Sequence, residues 1–184
     1  TALCTREQAE WLIAELKKHF ELKVSGLLGS GADEDKAVRI LNRTVRWTTE
    51  GVLYESDSRH AEIVIKQLGL DGTNGCKAVT TPGIKEDPPT TDTSISSQSA
   101  SMYRSLVMCI AYLALDRGDL QFATKELARG MSEPTEWYWS QLKRVGRYFL
   151  GRPRIELVYR LQKYTQHLNC YVDSDFAGCK RTRK

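Results

Sequence analysis

Between residues 101 and 150, apolar side chains return every three or four positions in three successive runs, and this periodicity constrains the fold more than any other feature. The first run, over about 101–116, carries Tyr103, Leu106, Val107, Ile110, Leu113 and Ala114. The second, over about 119–131, carries Leu120, Ala123, Leu127 and Met131. The third begins at Pro134, a residue suited to a first helical turn, and reaches Leu150 with Tyr138, Leu142, Val145 and Phe149 on one arc. A helix with one apolar stripe must bury it against another element, so these residues predict three helices, each with a core-facing side.

Upstream, the pattern changes. Thr5-Arg6-Glu7-Gln8 reads as a capping box ahead of a helix whose stripe is Ala9, Leu12, Ile13, Leu16 and Phe20. A Gly/Ser/Asp loop at 29–35 leads to a strand over 38–47, turn chemistry at Thr48-Thr49-Glu50-Gly51, and a returning strand at 52–54, which together predict a hairpin. A helix over 59–68 is expected, capped by Asp57 or Ser58 and closed by Gly69. Residues 71–101 are dominated by Gly, Thr, Asn, Pro and Ser and read as a linker or long loop. Beyond Gly151 and Pro153, residues 155–159 predict a strand, and the alternation of Leu168, Cys170 and Val172 predicts another.

Charge is distributed unevenly. From Lys143 to Lys184 there are 11 Lys/Arg against three acids, a net of +8, so with a total of +4 the first 142 residues carry −4. On the third helix, Lys143, Arg144 and Arg147 share an arc opposite the apolar stripe, and Arg152 and Arg154 follow directly. No acid follows Glu136 on this helix to form i, i+4 pairs, so the ridge is a candidate polyanion surface rather than a self-neutralised one. A solvated helix face is the alternative reading.

Five cysteines without a C-x-x-C argue against a disulfide framework or a structural zinc site. With no signal peptide and no run of 18 apolar residues, they predict an intracellular reducing compartment, cytoplasmic or nuclear, and no membrane partner. The chain opens on Thr1 and closes on Lys180-Arg181-Thr182-Arg183-Lys184, which reads as a piece of a longer protein. Tyr171-Val172-Asp173-Ser174-Asp175 puts two carboxylates on one side of an extended chain, where Asp173 and Asp175 are candidate ligands for a hard cation such as Mg²⁺. Two carboxylates are fewer than such a site needs, and a polar strand end leading to Gly178 fits the same residues.

The ordered run Tyr103-Arg104-Ser105-Leu106-Val107, Arg117-Gly118-Asp119-Leu120, Met131-Ser132-Glu133-Pro134-Thr135 and Leu142-Lys143-Arg144 resembles copia-type retrotransposon polyproteins. Asp173-Ser174-Asp175-Phe176-Ala177-Gly178, Arg59-His60-Ala61-Glu62 and Thr81-Pro82-Gly83 extend the resemblance over nearly the whole chain. It implies an α+β arrangement: a helix and β-hairpin at the N-terminus, a three-helix thumb-like bundle, then the first strands of an RNase H-like domain. Residues 1–80 would be the end of a reverse transcriptase palm, with Asn42 and Arg43 in a primer-grip-like hairpin. Residues 81–100 would be a linker, 101–152 the thumb, and 153–184 an incomplete RNase H start. Asp173 would stand in place of the first metal-binding and catalytic carboxylate, with Asp175 as a further metal ligand and Mg²⁺ as the cofactor of the intact enzyme. The implied partners are an RNA–DNA hybrid or duplex template–primer, bound through Lys143, Arg144, Arg147, Arg152 and Arg154, and the rest of the polyprotein.

The pattern is also departed from. The Tyr-x-Asp-Asp of the polymerase hairpin is absent, Gly118 stands where Pro is usual, and Met108 and Cys109 replace small residues. The chain is therefore expected to contribute template–primer binding rather than catalysis. Two other functions remain open on the residues: a helical protein-interaction module built from 101–150, and a metal-dependent phosphoryl-transfer enzyme using Asp173 and Asp175.

Overall fold

A computed structural model describes residues 5–71, 76–162, 167 and 169–172. Helix α1 (Arg6–Lys17) starts where its capping box sets it: Gln8 N–H donates to Thr5 Oγ1 and Thr5 N–H to Gln8 Oε1 at 3.0 Å. None of its residues is buried; its tie to the following loop is the Arg6–Asp33 ion pair at 2.6 Å.

The expected 38–47 strand is two strands. β1 (Ala37–Ile40) and β2 (Arg43–Trp47) form a hairpin of their own, in register Ile40↔Arg43. The turn residues Leu41 and Asn42 both have positive φ, 49° and 63°, as a two-residue hairpin turn of the primed type requires. Leucine gives no sequence signal for such a turn, because a Cβ disfavours that conformation. β3 (Gly51–Glu55) pairs with β2 across the predicted turn, where Thr48 and Gly51 exchange backbone hydrogen bonds.

β4 (Glu156–Arg160) is the strand expected at 155–159, and its partner is β3, in register Leu53↔Val158. The sheet order is β1-β2-β3-β4, all antiparallel, so residues read from the sequence as the opening of a later domain join the N-terminal hairpin sheet. Asn169, Cys170, Tyr171 and Val172 form no strand, contrary to the alternation read there, and are exposed. Leu168 lies outside the described residues, as do Asp173 and Asp175.

The core is helical. α2 (Arg59–Gln67), α3 (Ser97–Ala114), α4 (Gln121–Arg129) and α5 (Glu136–Gly151) bury one cluster that includes Ala61, Val64, Tyr103, Leu106, Ile110, Leu127, Leu142, Val145 and Phe149. Each large apolar side chain removed from water in this way contributes about 1.5–3 kcal/mol. The sequence assigned three helices to this bundle; α2 joins it as a fourth, packing on α3 and α5. Gly146 makes that packing close, since a Cβ there would lie 2.6 Å from Leu70 Cδ1 and 2.8 Å from Leu68 Cδ1.

Helix ends differ from expectation in ways with local causes. α3 begins four residues early, capped by Ser96 Oγ, which accepts from Ser99 N–H at 3.2 Å. α5 starts at Glu136 rather than Pro134. Its first N–H groups donate to Thr93 O (2.9 Å) and Asp92 Oδ2 (3.3 Å), so the preceding loop supplies its cap. A short 3-10 turn, Gly118–Leu120, replaces the expected first turn of α4. Asp57 Oδ1 accepts from Arg59 N–H at 3.1 Å at the start of α2, and Gly69 closes that helix at φ 64°.

Sheet and helices meet at Asp116 and Arg117, just beyond α3. Asp116 accepts from Arg43 Nε at 2.6 Å and from the Tyr54 hydroxyl at 2.8 Å. Arg117, 1% exposed, pairs with Asp119 at 2.7 Å and donates to Arg152 O (3.0 Å) and Pro153 O (3.4 Å) beyond α5. The Tyr148 hydroxyl also donates to Asp119, at 2.8 Å. Burial pushes the Asp119 carboxyl up, but its hydrogen bonds from Arg117 and Tyr148 outweigh this and hold it below its usual 3.8.

Three outcomes are expected. Leu142→Ala, at a side chain with 0% exposure, should lower unfolding free energy by about 2–5 kcal/mol, whereas Trp11→Ala, at 65%, should change it by less than about 0.5 kcal/mol; urea titration separates the two. Leu41→Asn, which suits the positive φ, should raise stability by up to about 1 kcal/mol in the same assay. Asp119→Asn should cost about 1–3 kcal/mol at pH 7. Because the native carboxyl is depressed, its contribution is present above its ordinary pKa and lost as pH falls through the folded value, so the gap to wild type should narrow below about pH 4.

Candidate nucleic-acid interface

α5 carries the predicted ridge. Leu142, Val145 and Phe149 are buried on one side, while Lys143 is exposed and Arg144 and Arg147 are half-buried on the other. The half-burial has a cause that periodicity could not supply. Residues 77–81, in no regular structure, run along this side of the helix. Arg147 Nε donates to Lys77 O at 2.8 Å, Val79 N–H to Arg147 O at 3.4 Å, and Arg144 Nη2 to Thr81 Oγ1 at 2.9 Å. Val79 packs against the helical core, which fixes this strap in place.

The acceptors on the strap are neutral. They orient the two guanidinium groups without cancelling their charge. Among the described residues, Lys143, Arg144, Arg147 and Arg152 make no ion pair with a carboxylate. The Lys143 ammonium instead lies 5.9 Å from the centroid of the Trp139 ring, a cation–π contact that leaves its outer face to solvent. Lys77, exposed beside Arg147, adds a cation the sequence reading missed, because only the strap brings it to the helix.

The other predicted site residues have acidic or local partners. Arg154 pairs with the buried Glu55, next to Arg46, which itself pairs with Glu156. Its charge is compensated, so it does not extend the ridge in the way its position after α5 suggests. Arg43 is spent on Asp116 and lies over the Tyr112 ring at 5.3 Å; its guanidinium pKa is raised, first by the Asp116 hydrogen bond. Asn42 sits in the β1–β2 turn and accepts from Arg39 Nη2 at 3.0 Å. Asp173 and Asp175 lie outside the described residues; among those described, no group of three or more His, Cys, Asp or Glu is placed to hold a metal ion. No helix among the described residues is long and apolar enough to cross a membrane.

Relatives cover much of this architecture. Over 102 residues, 55% of this chain, it is 34% identical to the retrovirus-related Pol polyprotein from transposon RE2 of Arabidopsis thaliana, and covers 7% of that protein. The corresponding protein from transposon RE1 of the same plant matches over 104 residues at 33% identity, 56% of this chain and 7% of its own length. An uncharacterized mitochondrial protein of Arabidopsis thaliana matches over 135 residues at 31% identity, 72% of this chain and 53% of its own length. The chain therefore spans about half of one relative and a small part of the two polyproteins. No family model matches the chain, and no solved structure does. Together with the ordered motifs from Tyr103 to Arg144, these identities make the chain homologous to a segment of the retrovirus-related Pol polyproteins of copia-type transposons.

Proposed function

We propose that this chain is a duplex-holding part of a copia-type reverse transcriptase, gripping an RNA–DNA template–primer through α5 while phosphoryl transfer is performed elsewhere in the polyprotein. The observation that carries the reading is that Lys143, Arg144, Arg147 and Arg152, on and just beyond a helix anchored in the core, have no carboxylate partner among the described residues. Cations held by neutral acceptors keep their charge for phosphate oxygens, and a rigid helix spaces them along a backbone. Homology to Pol polyproteins supports a nucleic-acid partner for the same surface. In this reading Asn42 and Arg43 act through the turn and junction they build. Asp173 and Asp175 belong, by resemblance, to the Mg²⁺-dependent RNase H chemistry of an intact enzyme. The chain has no adjacent Asp-Asp pair, so polymerase carboxylates must come from another part of the parent.

A salt titration of binding to a short RNA–DNA hybrid tests this. Each phosphate neutralised contributes a log–log slope of about −0.9, so three to five contacts should give roughly −3 to −4, with little dependence on base composition. The variant Lys143→Ala/Arg144→Gln/Arg147→Gln should flatten the slope by about two to three units, while Gln keeps donors toward Thr81 and the Lys77 carbonyl. Equal slopes for both proteins would reduce the ridge to a solvated helix face.

A further inference from the structure

The strap carries a hydroxyl that its length and composition did not single out. Thr81 is exposed, lies in chain without regular structure, and is followed directly by Pro82, with Lys85 four residues on. A hydroxyl followed directly by proline is the form that proline-directed protein kinases accept, because proline occupies the position after the acceptor.

What the hydroxyl faces is more specific. Arg144 Nη2 donates to Thr81 Oγ1 at 2.9 Å, while Arg144 Nε is buried and has no hydrogen-bond partner among the described residues. Nε and Nη2 form one edge of the guanidinium fork, the edge with which Arg117 and Arg59 grip Asp119 and Asp57 in this same protein. On Arg144 that edge holds a single neutral oxygen and leaves one donor empty. An unpaired buried donor costs about 1–3 kcal/mol, which a second acceptor at this point would recover. Arg147, one helical turn on, is held beside Lys77 with no carboxylate partner among the described residues.

We propose that Thr81 is a phosphorylation site whose phosphate is seated on the Arg144 fork, and that its modification turns off duplex binding by the α5 ridge. The second half of this statement rests on the nucleic-acid reading above; the first does not. In the modification step, the γ-phosphoryl group of a nucleoside triphosphate passes to Thr81 Oγ1. The new O–P bond forms as the bond to the departing nucleoside diphosphate breaks, and the hydroxyl proton goes to the kinase's base. The product adds about −1.5 to −2 charges and three strong acceptors against Arg144 and Arg147. It ties the strap to α5 through a bidentate, charge-assisted pair and removes the cations on which a nucleic-acid backbone would rest.

The test uses the full chain, a proline-directed kinase and labelled ATP. Label should enter at Thr81 and be lost in Thr81→Ala. By phosphorus NMR, the second ionisation of the phosphothreonine, ordinarily near about 6, should fall by about one unit or more beside the guanidinium. It should return to its ordinary value in Arg144→Gln and stay partly lowered in Arg144→Lys, which keeps the charge but not the fork. Binding of the RNA–DNA hybrid by the modified chain should show a salt slope flattened by about one to two units. Absence of label at Thr81, or a phosphate that titrates identically in wild type and Arg144→Gln, overturns the seat. A hybrid slope unchanged by modification overturns the regulatory half. If the unmodified chain binds no hybrid while the phosphate still depends on Arg144, the duplex-binding reading fails and the seat stands.

Discussion

The burial of Arg117 is the constraint on which the rest of this structure depends. A guanidinium group at 1% exposure is tolerable only when its donors are met, because an uncompensated buried charge costs several kcal/mol. Asp119 supplies the counter-charge, the Arg152 and Pro153 carbonyls take further donors, and the Tyr148 and Phe149 rings lie at 5.7 and 5.4 Å from its carbon. Satisfying this one group fixes the end of α3, the start of the 3-10 turn and the exit from α5 relative to one another. The neighbouring residue does the same for the sheet: Asp116 holds Arg43 of β2 and Tyr54 of β3, whose hydroxyl is pushed up to about 12 by burial and by that bond. Two consecutive residues thus join the helical core to the sheet, and Arg117 holds the Arg152 and Pro153 carbonyls on the segment by which the chain passes from α5 to β4.

A second regularity follows from which cations meet carboxylates. Arg43, Arg59, Arg117 and Arg154 each have an acidic partner, and all four lie in or beside the junction between sheet and helices. Arg144 and Arg147 have carbonyl and hydroxyl partners instead. The first group holds the fold together. Among the described residues the second is oriented but not neutralised, which is the electrostatic condition for meeting an anion from outside. Charge counting along the sequence cannot make this distinction, since it depends on what lies within about 3 Å of each nitrogen in three dimensions.

Homology and geometry bear on different questions here. The Arabidopsis polyproteins establish the ancestry of the segment, which spans 7% of the length of each. The geometry supplies what the relationship does not: a strap lying along α5, a Thr81 hydroxyl on an unfilled arginine fork, and a helix α1 with no buried residue.

Local chemistry by itself determined α3, α4 and α5 and their buried faces, whereas the apolar stripe of α1 found nothing to bury against among the described residues. The 3.6-residue period of Tyr103, Leu106, Ile110 and Leu113, and of Tyr138, Leu142, Val145 and Phe149, named the core residues that the structure buries. The Thr5–Gln8 box and Gly69 marked helix ends because those signals act within a few residues. Where a signal was weak or distant, the sequence was misleading or silent. Leu41 and Asn42 turn the chain without glycine, so two strands read as one. α5 is capped by Asp92 and Thr93 across a loop, so its start was misplaced. The pairing of β4 with β3 joins residues about a hundred positions apart, and the covering of Arg144 and Arg147 by residues 77–81 spans more than sixty. Such contacts are chosen by which ends the folded core brings together and which buried charges must be met, and only the tertiary structure decides that.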